Sequence, residues 1–259
     1  MTSQLLLLLP PSETKSDGGS RVSQQEAPAR SELRSIHDEV RQSLIELSSG
    51  EADAAAKALK ISAKQATTEL ARNAALAASP PLKPAAERYT GVLYDALDAA
   101  SLNADAAGWL NSHVAIHSAL YGLVGPLEPI AGYRLSFDSR LPHMPLKRRW
   151  AAAITETLAK HEGPILDLRS KGYVGLGPLP AGRGDCVWGD VVEQLPDGSF
   201  RSLNHFNKRA KGELVRLLAQ RASGRILTTL EDAAELVSDR FSFVHTATDA
   251  VRIAVIPQL

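Results

Sequence analysis

Ser12, Glu13, Thr14 and Lys15 follow a run of five leucines and two prolines, in the order Leu5–Leu9, Pro10-Pro11-Ser12-Glu13-Thr14-Lys15. A short apolar run of this kind reads as a strand buried on both faces. A polar loop at its end is where open α/β sheets place ligands. The hydroxyls of Ser12 and Thr14 can donate to an anion, and Lys15 adds charge. The glycine spacing of a Walker A loop is missing, and an ordinary solvated turn is the alternative. A second candidate is His205-Phe206-Asn207-Lys208-Arg209-Ala210-Lys211-Gly212. Lys208, Arg209 and Lys211 at a helix start oppose the helix dipole, and a docked phosphate turns that conflict into attraction. A solvated basic patch is the plainer reading. Arg134, after Tyr133, suits bidentate capture of phosphate or carboxylate, or a structural ion pair. Ser118 and Tyr121 precede a Gly- and Pro-rich turn, and Ser170 and Tyr173 follow the strand-like Ile165–Leu168. Glu13 and Tyr173 are the acid–base candidates, with Lys15 or Lys208 to stabilise developing negative charge.

Two further groups read as structural. His113 and His117 would share a helix face, as zinc ligands do, but no third ligand stands beside them. No two-His-one-carboxylate spacing for iron stands out either. No metal and no cofactor are expected. Cys186 has no neighbouring His and is expected in the core.

These residues need elements to position them. Leu33, Ile36, Val40, Leu44 and Leu47 recur at helical spacing, and Ser48-Ser49-Gly50 ends that pattern. Glu51 to Ala78 is Ala-rich with an interruption at Ile61-Ser62, where Ser62 would cap a second helix. A helical layer is therefore predicted near residues 30–80. Val114–Leu123 reads as a strand or short buried helix. Strands are predicted at Tyr133–Phe137, Ile165–Leu168, Asp185–Gln194, Phe200–Phe206, Phe241–His245 and Val251–Ile256. Turns are expected at Pro196-Asp197-Gly198 and Thr248-Asp249. Helices are predicted at Arg149–His161, Gly212–Ser223 and Leu230–Leu236. The predicted fold is α/β (α+β): a single compact domain, residues 1–259, with a central mixed sheet.

Composition limits the function classes. The 259 residues are 44% hydrophobic and 22% charged, so wholesale disorder is excluded. Lys and Arg number 29, as do Asp and Glu, which argues against a histone-like nucleic-acid coat but leaves room for a local basic groove. A single Cys rules out an internal disulfide and CxxC zinc sites. No stretch reaches the ~18 apolar residues that span a bilayer, and Leu5–Leu9 lacks the flanks of a signal peptide. A cytoplasmic protein with no membrane contact is expected. The sequence does not specify an oligomeric state.

Five segments in register carry a resemblance: LLLLLPPSETKSDGG, LKIS followed by ELARN, RYTGVLYDAL, SALYGLVGPLEPIAGYRLS and HFNKRAKGELVRLL. Together they resemble the YaaA family of peroxide-stress proteins over nearly the whole chain. The resemblance implies one α/β domain with a positively charged cleft and a helix-hairpin-helix-like element near residues 45–75. It also implies DNA binding and protection from hydrogen peroxide by limiting free iron and iron-driven damage. The family's motifs fall on Pro11, Ser12, Thr14 and Lys15; on Tyr89, Thr90 and Gly91; on Ser118, Tyr121 and Gly122; and on Tyr133 and Arg134. Others fall on Ser170 and Tyr173, and on Lys208, Ala210, Lys211 and Gly212. Gly125 stands where many members carry Arg.

Two functions follow. One is duplex DNA binding through a cationic cleft of Lys15, Arg134, Lys208 and Lys211, with Arg209 and the Ser12 and Thr14 hydroxyls beside them. Scarce aromatics, 5% of the chain, make that contact backbone-directed rather than stacked. The other is an enzyme acting on a nucleotide, nucleoside or other phosphate-bearing small molecule. It would use Lys15, Ser118, Tyr121, Arg134, Ser170 and Tyr173. Convergence of these residues on a pocket favours the enzyme, and an open groove favours DNA.

Overall fold

Leu6–Leu9 form β1, and all four residues are buried, as a continuous apolar run bounded by Pro10 predicts. The computed structural model describes residues 3–20, 26–28, 30–195, 199–202, 206–247 and 250–256. The expected turns at 196–198 and 248–249, and His205, lie outside the described residues.

The helical layer follows. Helix α1 (Ser31–Ser49) buries Leu33, Val40 and Leu44, and α2 (Ala52–Leu59) and α3 (Ala63–Ala74) complete it. Lys60 closes α2 in the left-handed conformation at φ 55°. Ser62 starts α3 as predicted, with Gln65 Oε1 accepting from the Ser62 amide at 3.1 Å and its hydroxyl at 2.9 Å. The short β2 (Lys83–Pro84), α4 (Ala85–Arg88) and α5 (Val92–Leu97) lead to α6 (Ala104–His113). Val114–Leu123 resolves into β3 (Val114–Ser118), a tight turn, and β4 (Gly122–Val124). The two-residue β5 (Pro129–Ile130) pairs with β2.

Helix α7 (Leu146–Ala159) precedes β6 (Ile165–Asp167), the one-turn α8 (Lys171–Val174) and the long β7 (Cys186–Gln194). After β8 (Phe200–Ser202) comes α9 (Phe206–Ala222), which starts six residues before the predicted Gly212. Phe206, predicted to end the strand that begins at Phe200, instead starts this helix. Helix α10 (Leu230–Leu236) has its predicted bounds, and β9 (Phe241–Ala247) and β10 (Ala250–Val255) close the sheet.

The sheet is mixed, in the order β4-β3-β1-β6-β7-β10-β9, with β8 on β7. Its centre is parallel: β1 pairs β3 and β6, and β7 pairs β6 and β10. Helix α1 packs on α3 and α7, and α9 on α5 and α6. No helix among the described residues is long and apolar enough to cross a membrane.

Two expectations fail here. Tyr133–Phe137 is not a strand. Its alternation is real, but the Asn73 side chain takes the place of a neighbouring strand: it accepts from the Arg134 amide at 2.7 Å and donates to the Arg134 carbonyl at 3.0 Å. His113 and His117 do not share a helix face, because α6 ends at His113 and His117 belongs to β3.

Candidate functional site

Strand β1 lies between β3 and β6, so the sheet grows in opposite directions from it. Loops leaving such a switch point diverge and open a crevice beyond the carboxyl ends of the strands. A cleft of about 440 Å³ occupies that position. The loop after β1 (Pro10 to Thr14) lines it, with Thr90 to Tyr94, Phe137, Ser170, Tyr173 and Lys208.

The hydroxyl rim is built locally. Ser12 Oγ and Thr14 Oγ1 are 3.2 Å apart, and Thr90 Oγ1 donates to Thr14 Oγ1 at 2.9 Å. A backbone bridge between Lys15 and Tyr89 joins the two segments. Gly91, at φ +94°, turns the chain against the Ser12 and Thr14 hydroxyls, a conformation that favours glycine. Arg88 secures this region from beneath, donating to the carbonyls of Ser16, Gly18, Pro81 and Ile130.

Lys15 and Arg134 both engage Glu13, which lines the cleft. Lys15 Nζ donates to the Glu13 carbonyl at 3.2 Å and lies 4.0 Å from the centre of the Tyr133 ring. Among the described residues no carboxylate pairs with it within 4 Å. Burial, then the Arg134 charge, pull its amine down to about 7. Burial thus favours the neutral amine, the form that a base or nucleophile requires. Arg134 holds the Glu13 carboxylate at 2.8 Å, and its buried Nε has no partner among the described residues. Beneath them runs a hydroxyl chain: Tyr89 to Tyr133 at 2.8 Å, and Tyr133 to Ser118 at 2.8 Å. Burial raises the pKa of Tyr133 to about 12 and that of Tyr89 well above the ordinary phenol value.

The remaining candidates divide. Ser170, Tyr173 and Lys208 line the cleft. Ser118 sits under it, its hydroxyl accepting from the Leu120 and Tyr121 amides at 3.1 and 3.0 Å. Tyr121 lies away from the cleft, donating to Glu26 at 2.5 Å and stacked on His37. Lys211 is buried and donates to the Leu168 carbonyl at 2.8 Å, and burial lowers its amine to about 8. Arg209 pairs with Glu213 on the exposed side of α9. Cys186 is buried on β7, and burial raises its thiol to about 11. His113 accepts from the Leu227 amide at 3.1 Å, and no group of three metal-binding side chains occurs among the described residues.

Three supporting residues escaped the sequence reading. Asn73 fixes the Arg134 backbone and also donates to Ser48 at 3.1 Å. A polar residue three after Leu70, inside the buried stripe of α3, was the available signal. Arg72 ties α3 to the loop through Asp17 at 2.8 Å. Arg169 pairs with Asp167 at 2.6 Å and donates to His117 Nδ1 at 2.7 Å, and the His117 ring meets Tyr173 edge-on. No local spacing betrays that last group, because Arg169 and His117 are 52 positions apart.

This arrangement can hold an anion on the rim hydroxyls with Lys208, beside a weakly basic amine. The sequence that builds it matches a known family. The family model for the peroxide stress protein YaaA matches residues 5–247. The chain belongs to the YaaA family. A UPF0246 protein of Corynebacterium glutamicum is 40% identical over 224 residues, covering 83% of this chain and 85% of its own length. One from Corynebacterium efficiens is 39% identical over 242 residues, covering 90% and 91%. One from Streptomyces coelicolor is 36% identical over 240 residues, covering 90% and 88%. YaaA membership associates the chain with the peroxide-stress response. The match takes in the loop after β1, the helical layer and the start of α9.

Proposed function

We propose that this YaaA-family chain acts in the cytoplasm as an enzyme on a phosphate-bearing small molecule, of the nucleotide class. One observation carries this reading: a cleft of about 440 Å³ at the sheet's switch point, of the size that takes a small ligand. Phosphate would sit on the hydroxyls of Ser12, Thr14 and Ser170 with Lys208. Glu13, Tyr173 and the Lys15 amine supply the groups for proton transfer. A nucleotide thermal-shift screen of wild type and Lys208→Ala tests it. Wild type should be stabilised by at least one nucleotide, and the variant should need a roughly tenfold higher concentration for the same shift. No shift at millimolar nucleotide refutes the reading. Lys211 is better left intact in such a variant, because its buried ammonium serves the Leu168 carbonyl.

A second reading, duplex DNA binding, has its own support. Lys57, Lys60 and Lys64 are exposed around the α2–α3 turn, as a hairpin contacting phosphates would place them. Protection from iron-driven damage would then follow from DNA occupancy. Duplex affinity should fall with salt at a slope of about −0.9 per phosphate contact, and Lys57→Ala with Lys64→Ala should flatten it by about two contacts. A slope unchanged in that variant removes the hairpin from the interface.

A further inference from the structure

Phe137 is 39% exposed in a stretch whose other side chains are turned inward: Tyr133, Leu135 and Ser136 are buried. An exposed phenyl on a mobile loop would mean little, but this one is held from several sides. The Ser136 amide donates to Ser139 Oγ at 3.1 Å, and the Ser136 hydroxyl to Asp138 at 2.6 Å. Asp138 is in turn tied to Lys60 at 2.7 Å. The Tyr173 ring meets the phenyl edge-on at 5.4 Å and 64°. Gly172 completes the seat. A Cβ at that position would lie 2.4 Å from the phenyl ring, so the ring rests where only glycine leaves room.

The ring lines the cleft, as does Val92, which is 50% exposed. The same cleft therefore has apolar surfaces as well as the hydroxyl rim of Ser12, Thr14 and Ser170. A ligand that satisfies both has a flat apolar part and a polar, anionic part. A sugar phosphate offers the second without the first, and an aliphatic acid cannot use a rigid aromatic face well. A planar base joined to a sugar phosphate offers both. A ring already fixed in its seat loses no rotamer freedom on stacking, which favours the bound state.

We propose that Phe137 is the stacking platform for a nucleobase, so that the cleft selects base-bearing phosphates over sugar phosphates. This rests on the small-molecule reading above and adds the part of the ligand that the reading leaves open. The platform would act in recognition, not in bond-making. Tyr173 and Gly172 are positioning residues that hold it.

Calorimetric titration with adenosine 5′-monophosphate, uridine 5′-monophosphate and ribose 5-phosphate tests the proposal, on wild type, Phe137→Ala and Phe137→Trp. In wild type the two nucleotides should bind roughly 5- to 150-fold more tightly than ribose 5-phosphate, the range expected for one stacked base. Phe137→Ala should lose that preference and keep its affinity for ribose 5-phosphate, while Phe137→Trp should retain it. Phe137→Leu, compared with wild type by urea midpoint, keeps a folded control without an aromatic face and should behave as Phe137→Ala does. Equal binding of nucleotides and ribose 5-phosphate by wild type overturns the platform but leaves the phosphate site standing. So does a preference that survives in Phe137→Ala and Phe137→Leu. No binding of any of the three overturns both.

Discussion

Replacing Lys15 by Met should make the protein more stable at neutral pH, and the gain should vanish in alkali. The buried amine sits at about 7 instead of its ordinary 10.5. At ~1.4 kcal/mol per tenfold change in proton affinity, that gap is worth about 5 kcal/mol. The sign follows from proton counts. Between the two values the unfolded chain binds the proton and the folded chain does not, so stability rises with pH across that window. Below pH 7 the whole cost is present, and above 10.5 it is gone. Attraction of the ammonium to the Tyr133 ring, about 2 kcal/mol when desolvated, opposes this and still leaves about 3 kcal/mol. Met keeps the length and apolar stem of Lys without its charge. Urea unfolding at pH 6, 8 and 10 should therefore show the variant ahead by about 3–5 kcal/mol at pH 6, by less at pH 8, and by little at pH 10. A difference that does not change with pH, or a wild type that is the more stable at pH 6, refutes the argument. A residue that costs this much in the fold and stands beside a ligand-sized cleft is a mark of a functional site.

Asn73→Leu should cost about 2–4 kcal/mol, because the Arg134 amide and carbonyl and the Ser48 hydroxyl lose a partner together; urea midpoints and faster amide exchange at Arg134 would show it. Arg169→Met removes the guanidinium that pairs with buried Asp167 and should cost about 3–5 kcal/mol, against a near-neutral effect if the pair contributes nothing. The Cys186 thiol, raised to about 11 by burial, stays protonated at pH 7.4. Iodoacetamide should leave it unmodified in the native protein and label it in urea; rapid native labelling would make it a candidate peroxide sensor.

The elements legible in the sequence are those whose cause is local. β1 reads from five leucines halted by proline, α1 from its 3.6-residue period, and the start of α3 from Ser62. The loop after β1 was legible as a polar turn behind a buried strand, a pattern of neighbours, and it lines the cleft. What was illegible depends on distant partners. Tyr133–Phe137 alternates as a strand does, but its hydrogen-bonding partner is an asparagine 61 positions away. The four-residue spacing of His113 and His117 suggested one face only on the premise that a helix ran through both. Lys208 and Lys211 are neighbours in sequence, yet the earlier start of α9 sends one to the cleft and the other into the core. The seat of Phe137 could not be read at all, because nothing in the chain pairs Gly172 with a ring 35 positions upstream.

The helix α3 holds the loop after β1 through successive side chains. Arg72 grips Asp17, and Asn73 carries the Arg134 segment whose guanidinium grips Glu13. Glu13 lies within the loop that forms the cleft's rim, and Asp17 follows just after it. Two successive residues of α3 thus hold the loop after β1, so the shape of the cleft's rim depends on a helix that contributes no side chain to the cleft's lining.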